Sequence, residues 1–168
     1  TTVFLSWTAR DCVTRRDELS LILQKAGMNV IPHTDCPVDD QTFKTKVEAA
    51  LLYSHCSVHI LGSEIGRKFE STPEVSISAY QYNEAHKKLV GNGSRFKQFI
   101  WQCPIDPTKE VDSEQKQFIN DIRNNITAEM VFTNVPTPMQ LVDDIRASLM
   151  VKEVQEFDIE AAEVFLIS

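Results

Sequence analysis

The stretch SAYQYNEA, residues 78–85, sets the carboxylate of Glu84 four residues beyond the phenol of Tyr80 and three beyond the amide of Gln81. On a helix these positions share a face. A carboxylate fixed there beside a polar pocket can stabilise a cation developing at an anomeric carbon, the task carboxylates perform in glycoside hydrolysis. The same spacing suits a solvated face on which Glu84 pairs with Lys87 or Lys88, and helix pattern alone favours that second reading.

Other chemistries find fewer of their parts. A phosphate cradle needs a glycine-rich turn straight after a strand, and GNGS (residues 91–94) precedes one instead. Neither the dinucleotide fingerprint nor the P-loop pattern is present. Nucleophilic catalysis would want a Ser or Cys on a sharp turn such as G-x-S-x-G, which is absent. Ser6, Ser63 and Cys12 read as turn or capping residues, and His59 as a core or sheet-face residue. A phosphoacceptor domain would carry an aspartate after its third strand, where Gly62-Ser63-Glu64 stands instead.

The net charge of -7 disfavours a nucleic-acid surface, since phosphate binding draws on clustered Lys and Arg. Arg15-Arg16 and Lys87-Lys88 are isolated pairs that read as solvated helix faces. Four widely spaced cysteines, Cys12, Cys36, Cys56 and Cys103, form no C-x-x-C pair and no zinc pattern with the histidines. No metal and no cofactor are expected. With no secretory segment and no apolar run of membrane-spanning length, the expected setting is cytoplasmic, without a membrane partner and with reduced thiols.

The elements that must position these residues alternate. TVFLSW, MNVIP, CSVHILG, FKQFIWQC and AEMVFTN read as strands. Helices follow each: one carrying Leu19, Ile22, Leu23 and Ala26 and ending at Gly27; one carrying Phe43, Val47, Ala50 and Leu51; one from Pro73 to about Lys88; one with Phe118, Ile119 and Ile122; and a last over MQLVDDIRASLM. Five strand–helix repeats predict an α/β fold, a five-stranded parallel sheet with helices on both faces, flavodoxin-like. Ligands in such folds sit at the carboxyl ends of the strands, which singles out the loops SWTARD, HTDCPVDD and GSEIGRKFEST. Residues 1–150 form the expected domain. Residues 151–168, whose VFLIS echoes VFLSW, read as a linker or the start of a following domain, and the absence of an initial Met suggests a piece of something longer.

From Val3 to about Met150 the chain resembles the TIR domain family. VFLSW resembles the family's first-strand box, KAGMNVIP its second strand, EAALLYSHCSVHILGSEIG its second helix and third strand, and SAYQYNEA the segment whose usual form is S-x-W-C-x-x-E. FKQFIWQCP and DSEQKQFINDIRNN look most like bacterial TIR-like domains fused to larger defence or signalling proteins. Ser78 matches the family serine, while Tyr80 replaces the tryptophan and Gln81 the cysteine. Glu84 stands at the position of the glutamate that cleaves NAD in active members. HTDCPVDD replaces the R-D-x-x-P-G box of animal adaptors.

The resemblance implies an NAD+ nucleosidase, releasing nicotinamide and linear or cyclic ADP-ribose, that is switched on by self-association. Glu84 would be catalytic. Ser6, Trp7, Thr8, Arg10, His33, Asp35, Ser63, Tyr80 and Gln81 would bind the substrate, with Trp7 stacking on one of its rings or serving the core. Two further readings remain open: a silent oligomerisation module using the same surfaces, and a nucleotide-binding regulatory domain of the same architecture.

Overall fold

A computed structural model of the chain describes residues 1–92 and 95–150. The expected linker or following domain at 151–168 lies outside the described residues. Five parallel strands, β1 (Thr2–Leu5), β2 (Asn29–Ile31), β3 (Cys56–Leu61), β4 (Lys97–Gln102) and β5 (Met130–Thr133), form one sheet in the order β2-β1-β3-β4-β5. This is the doubly wound α/β, flavodoxin-like arrangement, and it places its reversal of strand order between β1 and β3.

Strand residues alternate between two cores. Val3, Leu5, Val58, Ile60, Phe99 and Trp101 pack on one face with Leu19 and Leu23 of α1 (Val13–Lys25) and with Leu141 and Ile145 of α5, residues 138–150. Phe4 and Ile100 pack on the other with α2 (Asp40–Tyr53), α3 (Ile77–Asn92) and α4 (Ser113–Asn124). Because both faces are covered, β3 is buried along its whole length, as parallel sheets require. The stripes expected on α1, α2 and α4 do face these cores. Gly27 ends α1 at φ +87°, the left-handed conformation that suits a residue without Cβ.

One boundary differs. Pro73 does not begin α3; the helix starts at Ile77, where the Ser76 hydroxyl accepts the Ala79 N–H at 3.0 Å. An antiparallel bridge between Lys68 and Ser76 holds the preceding residues as a tight excursion, with Phe69 N donating to Val75 O at 3.1 Å and Ile77 N to Arg67 O at 2.9 Å. These local bonds outweigh the tolerance of a first helical turn for proline. No helix among the described residues is long and apolar enough to cross a membrane.

Candidate functional site

The loop after β1 is bound to α3 by an amide. Gln81, fully buried, accepts the Trp7 N–H at 2.8 Å, and its NH2 donates to Trp7 O at 3.0 Å and Ile77 O at 3.1 Å. Trp7 is itself a core residue, 5% exposed, with its ring 5.4 Å from that of Phe43 and its indole N–H donated to Thr34 O at 3.1 Å. The strand-end loops are thus tied together around Trp7.

Arg16 completes this tie. Its guanidinium donates to Leu5 O and Ser6 O, each at 2.9 Å, closing off the carboxyl end of β1, and burial lowers its pKa from the ordinary value. Lys88 does the same at the end of α2, donating to the carbonyls of Leu51, Leu52 and Ser54. These two cations therefore correct the expectation of solvated pairs. Each donates to carbonyls at the end of an element, Leu51 O also accepting the Ser54 N–H at 3.2 Å.

The predicted site residues fall into separate places. Trp7 and Thr8 line a cavity of about 250 Å3 with Arg16, Asp17, Asp35 and Cys36. Arg10 lines a wider one of about 570 Å3 with Thr8, Glu64 and Arg67; its side chain is 92% exposed and only 3.9 Å from Glu64 at closest. Ser63 lines a third, where its backbone N–H and hydroxyl donate to Asp11 Oδ2 at 2.8 and 2.9 Å. Ser6 is buried, its N–H donated to Val58 O at 3.1 Å, and His33 is exposed. Thr8 Oγ1 is buried without a hydrogen-bond partner.

Glu84 belongs to none of these three cavities. It lines a groove of about 630 Å3 between α2 and α3, with Glu48, Leu51, Leu52, Lys87, Lys88 and Gly91 as the other walls. Its carboxylate, on a side chain 20% exposed, pairs with Lys87 Nζ at 2.7 Å. That pairing raises the Lys87 pKa. The expected convergence of Glu84 with Ser6, Trp7 and the loop of residues 33–40 is replaced by a division of labour along one helix. Gln81 meets Trp7, whereas Glu84 lies about 4.5 Å further along the helix axis, running away from the strand ends.

Tyr80 is the predicted neighbour that stays with Glu84. Its hydroxyl donates to Glu48 Oε1 at 3.1 Å, and its ring packs edge-on against Phe69 at 5.3 Å. Burial, then the hydrogen bond to Glu48 and the charges of Glu84 and Glu48, raise the phenol's pKa, so it stays a donor. Glu48 had no signal in the sequence, because its partner lies 32 positions away on another helix. Among the described residues no group of three or more His, Cys, Asp or Glu is placed to hold a metal ion.

The chain matches no protein-family model, no curated protein and no solved structure. The likeness to TIR domains accordingly rests on the residues quoted for it.

Proposed function

We propose that the chain is an NAD+ nucleosidase of TIR type in which Glu84 faces the ribose as nicotinamide departs. The observation that carries this reading is the pairing of Glu84 with Glu48 on opposite walls of one groove, the second carboxylate held by the Tyr80 hydroxyl. In NAD+ the pyridinium is already cationic. When the glycosidic bond breaks, its electron pair goes to nitrogen, neutral nicotinamide leaves, and positive charge moves onto the ribose. No proton is needed by the leaving group, so one carboxylate facing the sugar suffices.

For this step Lys87 must release Glu84. Its side chain is 73% exposed, so the pair exchanges readily with water, and the freed ammonium is at hand for a substrate pyrophosphate. The groove is open, which favours activity only when a neighbouring copy covers it. Leu52 in its wall is 72% exposed, and Tyr53, next to Leu52 in sequence, and Val90, next to Gly91, are comparably bare.

A second reading, a silent self-association module, is favoured by the same exposed residues and by the closed Glu84–Lys87 pair. Nicotinamide release from NAD+ by the chain fused to an oligomerising partner separates the two. Clustered wild type should release nicotinamide faster per chain than the dilute monomer, and Glu84→Gln should slow it by about a hundredfold or more. Equal rates in the two clustered proteins would remove Glu84 from catalysis; no release from either would leave the silent module.

A further inference from the structure

Cys12 and Cys103 are 91 positions apart in the chain, and their sulfurs lie 3.6 Å apart. The topology makes this pair. Cys12 ends the 3-10 turn Arg10–Cys12 that follows β1, and Cys103 is the first residue after β4, so both sit at the carboxyl edge of the sheet on its α1 side. Gly62, at the end of β3 between them, leaves room for the contact: a Cβ there would collide with the Asp11 carboxylate and with Cys12 Sγ.

The two sulfurs are not equivalent. Cys103, 4% exposed, lines the cavity of about 190 Å3 that also holds Asp11, Arg15, Ser63, Asp106 and Lys109, whereas Cys12, 1% exposed, is not part of its wall. That volume admits a small hydroperoxide, given that a water's share of liquid volume is about 30 Å3. The hydrogen bond with Cys12, with the charge of Arg15 adding, lowers the Cys103 pKa from the ordinary thiol value, against burial and the Asp11 carboxylate, which raise it. The same hydrogen bond, together with burial, raises that of Cys12. Cys103 is thus the sulfur that borders the cavity, and the Cys12 sulfur lies against it.

We propose that Cys103 and Cys12 form a peroxide-reactive dithiol, with Cys103 the sulfur that attacks the peroxide and Cys12 the resolving one. The Cys103 thiolate attacks one oxygen of a hydroperoxide. The O–O bond breaks, the departing alkoxide or hydroxide takes up a proton, and Cys103 becomes a sulfenic acid. The Cys12 thiol then gives up its proton and its sulfur attacks that of Cys103. The S–O bond breaks, the departing hydroxide leaves with that proton as water, and a disulfide remains. Both thiols are oxidised by two electrons in all, and the peroxide is reduced to an alcohol, or water, plus water. The sulfurs must close from 3.6 Å to the bonded length of about 2.05 Å, a movement shared between the end of the 3-10 turn at Cys12 and the loop that begins at Cys103.

The test is peroxide treatment of the full chain followed by intact mass and non-reducing peptide mapping. Wild type should lose two hydrogens and yield a cross-linked Cys12–Cys103 peptide. Cys12→Ser should stop at a Cys103 sulfenic acid that dimedone traps, Cys103→Ser should leave Cys12 unreacted, and Cys36→Ser should leave the cross-link unchanged. Cys36, whose pKa burial raises, should oxidise at least about tenfold more slowly than Cys103. Circular dichroism checks that each variant is folded, and the wild-type map stands independently of them. Peroxide that consumes Cys36 while Cys12 and Cys103 remain alkylatable after unfolding would overturn the proposal, as would a Cys103 sulfenic acid that persists in wild type without a cross-link.

Discussion

Replacing Gln81 by Met tests whether the amide is the clasp between α3 and the end of β1. Methionine keeps the length and helix preference of the side chain and removes its two hydrogen-bonding atoms. Trp7 then loses the acceptor of its N–H, at 2.8 Å, and the donor to its carbonyl, at 3.0 Å. Both groups lie beside a residue that is 0% exposed, so water does not replace the amide without opening the site. Ile77 O also loses a donor but keeps its place in the helix ladder. Two buried groups left unsatisfied cost roughly 1–3 kcal/mol each, partly offset by the easier burial of a thioether, for a net loss of about 3 kcal/mol. That loss lowers Tm by roughly 6–12 °C for a domain of this size. Urea unfolding followed by tryptophan fluorescence gives the free energy directly, and the slope of the transition shows whether the native state has loosened. A loss below about 0.5 kcal/mol with an unchanged slope would refute the clasp, because Trp7 would then have other partners.

His59 should make the fold sensitive to acid. Burial holds its pKa at about 3, against 6.5 for a free imidazole. The unfolded chain therefore takes up the proton first, and the contribution to stability is full above pH 6.5 and lost progressively toward pH 3. The slope approaches about 1.4 kcal/mol per pH unit within that window, and His59→Gln should flatten it in urea titrations at stepped pH. Gly62→Ala should destabilise by about 1–3 kcal/mol through the collision of its Cβ with Asp11 and Cys12. The same variant should slow peroxide cross-linking of Cys12 to Cys103, read by peptide mapping, and an unaltered melting curve would show that Asp11 can step aside.

What could be read from the chain alone was what depends on near neighbours. The alternation of Val3, Phe4 and Leu5, the helical stripes through Leu19 and Leu23 or Phe43 and Val47, and the stop at Gly27 report local periodicity and backbone preference. Five such repeats leave few topologies, because right-handed crossovers and short connections prune the rest. The parallel sheet was legible for that reason.

The site was not, since its partners are set by which loops the sheet brings to one edge and how far each helix has turned on leaving it. Tyr80, Gln81 and Glu84 look like one constellation when written as SAYQYNEA. In three dimensions Gln81 is absorbed by the backbone of Trp7, 74 positions earlier, while Tyr80 and Glu84 look across to Glu48 on α2. Arg16 and Lys88 follow the same rule: surface charges by sequence, they are drawn inward by carbonyls that only the folded chain presents. Cys12 and Cys103 show it most plainly, because nothing in their spacing joins them; β1, β3 and β4 lying side by side in parallel does. Side-chain type and periodicity are local properties carried by the sequence, whereas a contact between distant residues exists only once packing has fixed the loops.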